Sequence, residues 1–446
     1  MQQSNLQPPI PKGHDVSNHQ RPIHWPSVWQ LGLSLIAALT LWGFAAALFM
    51  LVVSSFYSAS ISGVETADPL PLLLMAAGAA SGGILLIPSA GYALLRILGR
   101  PNPIKFQVRR PGLLLLLLLP PVVALGHWVA GYSNLAWIAL PPLHVIAAGL
   151  PILGLLLLGL RGLSPGSPQR AWGIFGSGLV LGPALSLVVE AAALAIVAIL
   201  GFIYLSRDTI LVEKIMALSE QLPTSPESAD AILELLEPYL LQPGTIYLGL
   251  VFGAIFVPLI EELFKPIGVW LLVGRNPTAV QGFAAGLISG AGYALFENFA
   301  LAAGSSEEWS AIVLARMGTS LIHIFTAGLT GWALALAWRE GRYIRLGVTY
   351  LVAVSIHALW NGLVIMSIVP EFVSAGVSFP NIVLNIGSAA PVGFMVLIGG
   401  SFALLLISNA ALRRAITPPA RLQPGAADVI FTDEENLTNG NHFIPD

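Results

Sequence analysis

The chain has 446 residues, 56% of them hydrophobic and 10% charged, with a formal net charge of −3. An ordinary soluble domain carries about 25% charged residues, so a soluble globular reading is nearly excluded. Without a basic excess nucleic acid is not the partner, and the absence of cysteine leaves chemistry to Glu, Asp, His, Ser or the backbone.

In chain order, residues 1–27 are polar and hold five prolines without the basic-then-apolar pattern of a signal peptide, so they read as a disordered tail. An N-terminal membrane region, 28–205, follows. It holds apolar stretches at 28–55, 70–98, 112–131, 135–160 and 173–204, each near the roughly 20 residues that cross a 30 Å hydrocarbon core. The segment 206–244 is the only sizeable polar insertion. Leu211, Ile215, Leu218 and Leu222 recur at helical spacing, and Ser225-Pro226-Glu227 is a helix start, so two short amphipathic helices are expected on the outer face. A second membrane region, 245–412, has stretches at 245–274, 279–302, 309–338, 346–369 and 384–412, before an acidic tail over 413–446 that also reads as disordered. Continuous apolar runs such as Leu113 to Leu119 exclude the alternation of a barrel. The fold class is therefore all-α, a polytopic helical integral membrane protein of about ten spans.

Charges between the spans set the orientation, because cytoplasmic loops retain Lys and Arg. Sixteen of the 20 basic residues fall on one side, including Arg96, Arg100, Arg161, Arg170, Arg275, Arg339 and Arg413, while Glu65, Asp68, Glu307 and the acids between Asp208 and Glu237 fall on the other. Both termini are expected to be cytoplasmic. Trp128, Trp137 and Trp309, near span ends, read as interface anchors.

A charged side chain at mid-bilayer costs at least about 2.5–3.5 kcal/mol, so each one needs a reason. The spans contain His127, His144, Glu190, Glu261, Glu262, Lys265, Glu297, His323 and His357, six of them between 261 and 357. At 1.5 Å rise per residue, Glu261, His323 and His357 lie about 17–24 Å from their span ends and at similar depth, whereas Glu297 sits higher, towards a water entrance. Glu261 and Lys265 share a helix face, with Glu262 rotated about 100° away, so one carboxylate is neutralised and the other is free to face a site. Pro266 should break that helix. His357 and Asn361 also share a face, and Gly282, Gly286 and Gly290 form a stripe for close helix contact. His127 and His144 suit structural hydrogen bonds, Glu190 a bond to a neighbouring helix, and Arg316 either snorkelling to the surface, the preferred reading, or an approach to Glu297.

The chemistry that fits is amide hydrolysis. A glutamate in low dielectric beside a second carboxylate is a stronger base, a histidine can share its proton, and His357 with Asn361 can donate to an oxyanion. This mechanism requires no cofactor. A zinc on His323, His357 and a carboxylate is chemically reasonable too, and the residues leave both open. A proton- or ion-coupled transporter is the alternative use of the same groups, although their uneven distribution argues against a two-half design.

Glu261-Glu262-Leu263-Phe264-Lys265 resembles the EExxK motif of the PrsW family of intramembrane proteases, and Phe296-Glu297, His323 and His357-xxx-Asn361 follow in the family's order. The resemblance covers roughly 245–412. It implies Glu261 or Glu262 as base, His323 as its partner, His357 with Asn361 at the oxyanion, and a membrane-anchored protein as substrate, with anti-sigma factors as one class. The expected setting is the plasma membrane of a prokaryote. The related CAAX proteases differ in having an Arg one residue beyond the position of Lys265 and a histidine at the place of Ala300.

Overall fold

The computed structural model describes residues 24–62, 68–100, 112–220, 227–301, 308–374 and 379–416. The expected disordered stretches at 1–23 and 417–446, and Ser225-Pro226, lie outside the described residues. The described ones are helical wherever they are regular, with no strand among them.

Among the described residues, ten helical stretches are long and apolar enough to cross a membrane. The first five are α1 (Trp25–Ser62), α2 (Leu70–Ile97), α3 (Gly112–Ala130), α4 (Ser133–Gly159) and α5 (Pro168–Leu205). Trp25 to Ser27 thus belong to α1 and not to a tail. Ser167 caps α5 by accepting from the Arg170 N–H, ahead of Pro168 at the first helical position. The amphipathic segment forms α6 (Thr209–Ser219) and α7 (Glu227–Leu240), as its periodicity requires. Asp208 caps α6 through the Leu211 N–H and accepts from the Tyr239 hydroxyl of α7 at 2.9 Å.

The sixth crossing is interrupted. It comprises α8 (Pro243–Val251), a π-helical turn (Phe252–Phe256), α9 (Val257–Phe264) and α10 (Ile267–Trp270), which Pro266 separates from α9 because it offers no N–H and obstructs the preceding turn. The remaining elements are α11 (Ala279–Leu301), α12 (Trp309–Glu340), α13 (Tyr343–Ser367), α14 (Val369–Ser374) and α15 (Asn381–Ile416). Gly341, at φ 68°, ends α12 in the left-handed conformation that favours glycine.

Burial identifies the centre. In the most apolar windows of α11 and α12, 78% and 89% of residues are buried, against 22% in α1 and 11% in the broken crossing. The glycine stripe explains the contact: a Cβ on Gly282, Gly286 or Gly290 would overlap the carbonyl oxygens of Gly331, Ala327 and His323. Gly178 and Gly292 bring α5 equally close to α11. One apolar core includes Leu86, Leu155 and Leu179 together with Phe283, Leu287 and Phe325, so both membrane regions pack around the same pair. A second cluster gathers Leu74, Leu119 and Leu140 around Trp309. Trp309 is accordingly no interface anchor: it is wholly buried, its indole donating to His144 Nδ1, because Gly126 of α3 leaves room for the ring.

Candidate active site

Four elements converge on one buried polar cluster. From α9 come Glu261 and Glu262, with Lys265 at its end; α11 supplies Glu297, α12 Arg316, His323 and Thr326, and α13 His357. Lys265 is fully buried, and its ammonium does more than neutralise one neighbour. It donates to Glu262 Oε1 at 2.8 Å, stands 3.2 Å from Glu261 Oε2, and lies 3.0 Å from His357 Nδ1. The expected division, Glu261 paired and Glu262 free, is thereby corrected: Glu262 is enclosed, with Oε1 also accepting from Thr326 Oγ1 at 3.1 Å. The break at Pro266 lets this happen. Ser289 of α11 donates to the Lys265 carbonyl at 2.6 Å and accepts from the Gly268 N–H at 3.2 Å, so it holds both sides of the gap.

Glu297 does not sit apart from the other acids and histidines. Its Oε2 accepts from His323 Nε2 at 2.8 Å and from Arg316 Nη2 at 2.6 Å, and Arg316 Nε also donates to Asn298 Oδ1 at 3.1 Å. Snorkelling of Arg316 is likewise corrected. The register of the antiparallel pair gives the reason: Gly282 faces Gly331, Gly286 faces Ala327 and Gly290 faces His323, and about two turns further on the same register sets Glu297 opposite Arg316. Side chains on helices lean towards their own N-termini, so on antiparallel neighbours Glu297 and His323 lean towards one another and close the intervening turns.

The two imidazoles meet edge to face, centroids 5.1 Å apart. His323 uses Nε2 on Glu297, and its Nδ1 has no hydrogen-bond partner. His357 Nδ1 lies 3.1 Å from Glu262 Oε1, and its Nε2 lies 3.7 Å from Glu261 Oε2, an oxygen that also lacks an aligned hydrogen bond. Glu261, His323 and His357 each present a ligand atom within 4.8 Å of the other two. This is the donor set of a catalytic zinc site, two His and one Glu with a coordination position to spare, and each imidazole is backed by a carboxylate on its other nitrogen. Formal charge agrees, since three carboxylates face two cations and leave an excess negative charge for a cation to balance. The residues fit a divalent metal ion, with Glu261 as the carboxylate grouped with the two histidines.

Asn361 is placed differently from the other expected residues. Its side-chain amide donates to the Gly253 carbonyl in the π-helical turn at 3.2 Å. Glu190 of α5 has an Oε1 with no hydrogen-bond partner. His127 and His144 take the structural roles expected of them, with Ser310 and Trp309. Thr326, Ser289 and Tyr293, whose ring meets His323 edge-on at 5.7 Å, did not stand out in the sequence. A signal existed for Thr326, because Arg316, His323 and Thr326 fall on one stripe of a 3.6-residue helix.

Residues 192–386 match the family model described as PrsW family intramembrane metalloprotease. No curated protein and no solved structure matches the chain. The matched segment contains α6 to α14 and every residue of the cluster, and it begins within α5, ahead of the motif-bearing crossings.

Proposed function

We propose that this protein, whose residues 192–386 match the PrsW family model, is an intramembrane endopeptidase that cuts a membrane-anchored protein with a divalent cation held by Glu261, His323 and His357. The observation that carries the reading is the convergence of three buried ligand atoms, with each imidazole fixed from behind by a carboxylate. When bound, such an ion, zinc by the chemistry of its donors, polarises the scissile carbonyl and makes water a nucleophile near neutral pH.

The protein's own groups supply the rest. The side chains of Glu261 and Glu297 reach open space, 11% and 13% exposed, whereas that of Glu262 is at 0%. Glu297 is thus the acid placed to take the proton from attacking water. Arg316 and His323 hold its Oε2 while it does so, and the proton then passes to the amide nitrogen as the C–N bond breaks. Glu262 is a positioning residue: with Lys265 and Thr326 it fixes the ring of His357. The apolar surround keeps bulk water from competing for these hydrogen bonds.

One observation favours a metal-free second reading. The Lys265 ammonium, 3.2 Å from Glu261 Oε2 and 3.0 Å from His357 Nδ1, opposes a second cation nearby. In that case Glu261 takes the proton and His357 donates to the oxyanion. Both readings suit a regulatory protease of a prokaryotic plasma membrane with cytoplasmic termini, acting on substrates such as anti-sigma factors.

The test is cleavage of co-expressed single-span membrane proteins, with product termini read by mass spectrometry and metal content measured on the purified enzyme. The expected result is one defined cut, lost on chelation and restored by zinc. Cleavage that survives complete metal removal selects the Glu261-base reading, and cleavage by the Glu261→Gln variant refutes both.

A further inference from the structure

A cavity of about 870 Å³ lies apart from the catalytic cluster, between α1, α2, α5 and the α10 end of the broken crossing. Its walls combine two chemistries. Leu33, Leu41, Leu86, Ile174, Leu271 and Phe296 supply apolar lining, while Arg96, Arg170 and Arg275, with Tyr92, line it where α2 ends and α5 begins, the end taken here as the mouth. These arginines come from the end of α2, the start of α5 and the residues after α10, three places that share one membrane face when the spans alternate. No Asp or Glu lines the cavity, and no carboxylate among the described residues forms an ion pair with any of the three.

The mouth is braced by polar groups that satisfy one another. Gln30 Nε2 donates to Ser89 Oγ at 3.1 Å and to the Gln169 carbonyl at 3.0 Å, Gln169 Nε2 donates to Ser27 Oγ at 2.7 Å, and Ser34 donates to Ser89. That network fixes α1, α2 and α5 around the opening. The side chains of the three arginines take no part in that network.

We propose that this cavity binds an anionic phospholipid, with its phosphate on Arg96, Arg170 and Arg275 and an acyl chain along the apolar wall. Basic pockets between spanning helices, on the face where Lys and Arg gather, suit acidic lipid head groups. A substrate helix fits poorly, because membrane segments carry their own basic residues at that face and would meet three like charges. Free phosphate would use the mouth and leave the apolar interior unfilled.

Purified full-length protein in phosphatidylcholine nanodiscs, doped with increasing phosphatidylglycerol, tests the assignment by native mass spectrometry of bound lipid. Phosphatidylglycerol should be retained in preference to phosphatidylcholine. Each arginine near the membrane surface contributes about fivefold in affinity for acidic lipid, so Arg170→Gln/Arg275→Gln should weaken retention roughly 25-fold. Thermal unfolding of that variant in pure phosphatidylcholine should match the parent, and the single variant Arg96→Gln gives a smaller loss if the double variant does not fold. Water-soluble glycerophosphoglycerol and inorganic phosphate separate head group from lipid: neither should displace the bound lipid. Equal retention of the two lipids, retention unaffected by all the arginine variants, or displacement by either soluble phosphate would overturn the proposal.

Discussion

The two walls of the buried polar cluster are built on opposite plans. On one side α11 and α12 meet through Gly282, Gly286 and Gly290, so closely that no side chain fits between them, and most of both helices is buried. On the other, the crossing that bears Glu261, Glu262 and Lys265 is broken twice, by a π-helical turn and by Pro266, and Ile255, Phe256 and Leu263 lie exposed on it. One wall holds His323 and Glu297 in a fixed register. The other has carbonyls freed from its own helix that accept from Asn361 and Ser289 instead, and a looser packing beside the acids, as suits irregular backbone at membrane depth, which is tolerated only where protein or a cavity satisfies it.

The sharpest way to break the comparison is to remove one ligand from each side. His323→Ala on the packed wall and Glu261→Gln on the broken crossing should each lower cleavage by roughly 10²- to 10⁴-fold while membrane insertion and helix content stay unchanged. Loss of activity from only one of the two would mean that the walls do not act on the same water. A packing contrast comes next. Gly286→Ala drives a methyl into the Ala327 carbonyl and should cost about 1–3 kcal/mol in reversible unfolding, whereas Gly249→Ala in α8, where nothing lies within 4 Å, should stabilise by about 0.4–1 kcal/mol. Equal effects would remove the distinction between a tight wall and a loose one.

Glu262→Gln probes the support behind the ligands. Replacing a carboxylate that backs a metal-bound imidazole costs about 10- to 100-fold in metal affinity, so this variant should need more added zinc to reach full cleavage, with little change in rate at saturation. A loss of rate that zinc does not recover would move Glu262 into contact with the reacting atoms.

Much of this was readable before any coordinates. The ten crossings follow from the length that apolar helices need, the contact of α11 with α12 from three glycines four residues apart, and the break in the sixth crossing from Pro266. The convergence of Glu261, His323 and His357 was also expected from helical rise. What failed was depth and direction. Counting residues from a span end locates a Cα, and the side chains of Glu297 and His323 travel along the helix axes in opposite senses before they meet. The snorkelling expected of Arg316 failed for a related reason, because the preference was judged on one helix while the register of two decides it. Which carboxylate groups with His323 and His357 stayed open because Lys265 reaches both adjacent glutamates, a choice that spacing at i+3 and i+4 cannot make.

Asn361 gives the smallest expected effect and the finest distinction between the walls. Spacing puts it one turn beyond His357, where an amide can help an oxyanion, yet its N–H binds the Gly253 carbonyl that the π-helical turn exposes. A hydrogen bond of this kind contributes about 0.5–1.5 kcal/mol, so Asn361→Ala should lower stability by about that amount and leave kcat nearly unchanged. An oxyanion donor behaves otherwise: its removal costs about 2.7–4 kcal/mol in kcat. The two roles separate in one pair of measurements, unfolding and kcat on the same variant. A large fall in kcat with unchanged stability would show that Asn361 leaves Gly253 when substrate binds, and that the broken crossing shifts in doing so.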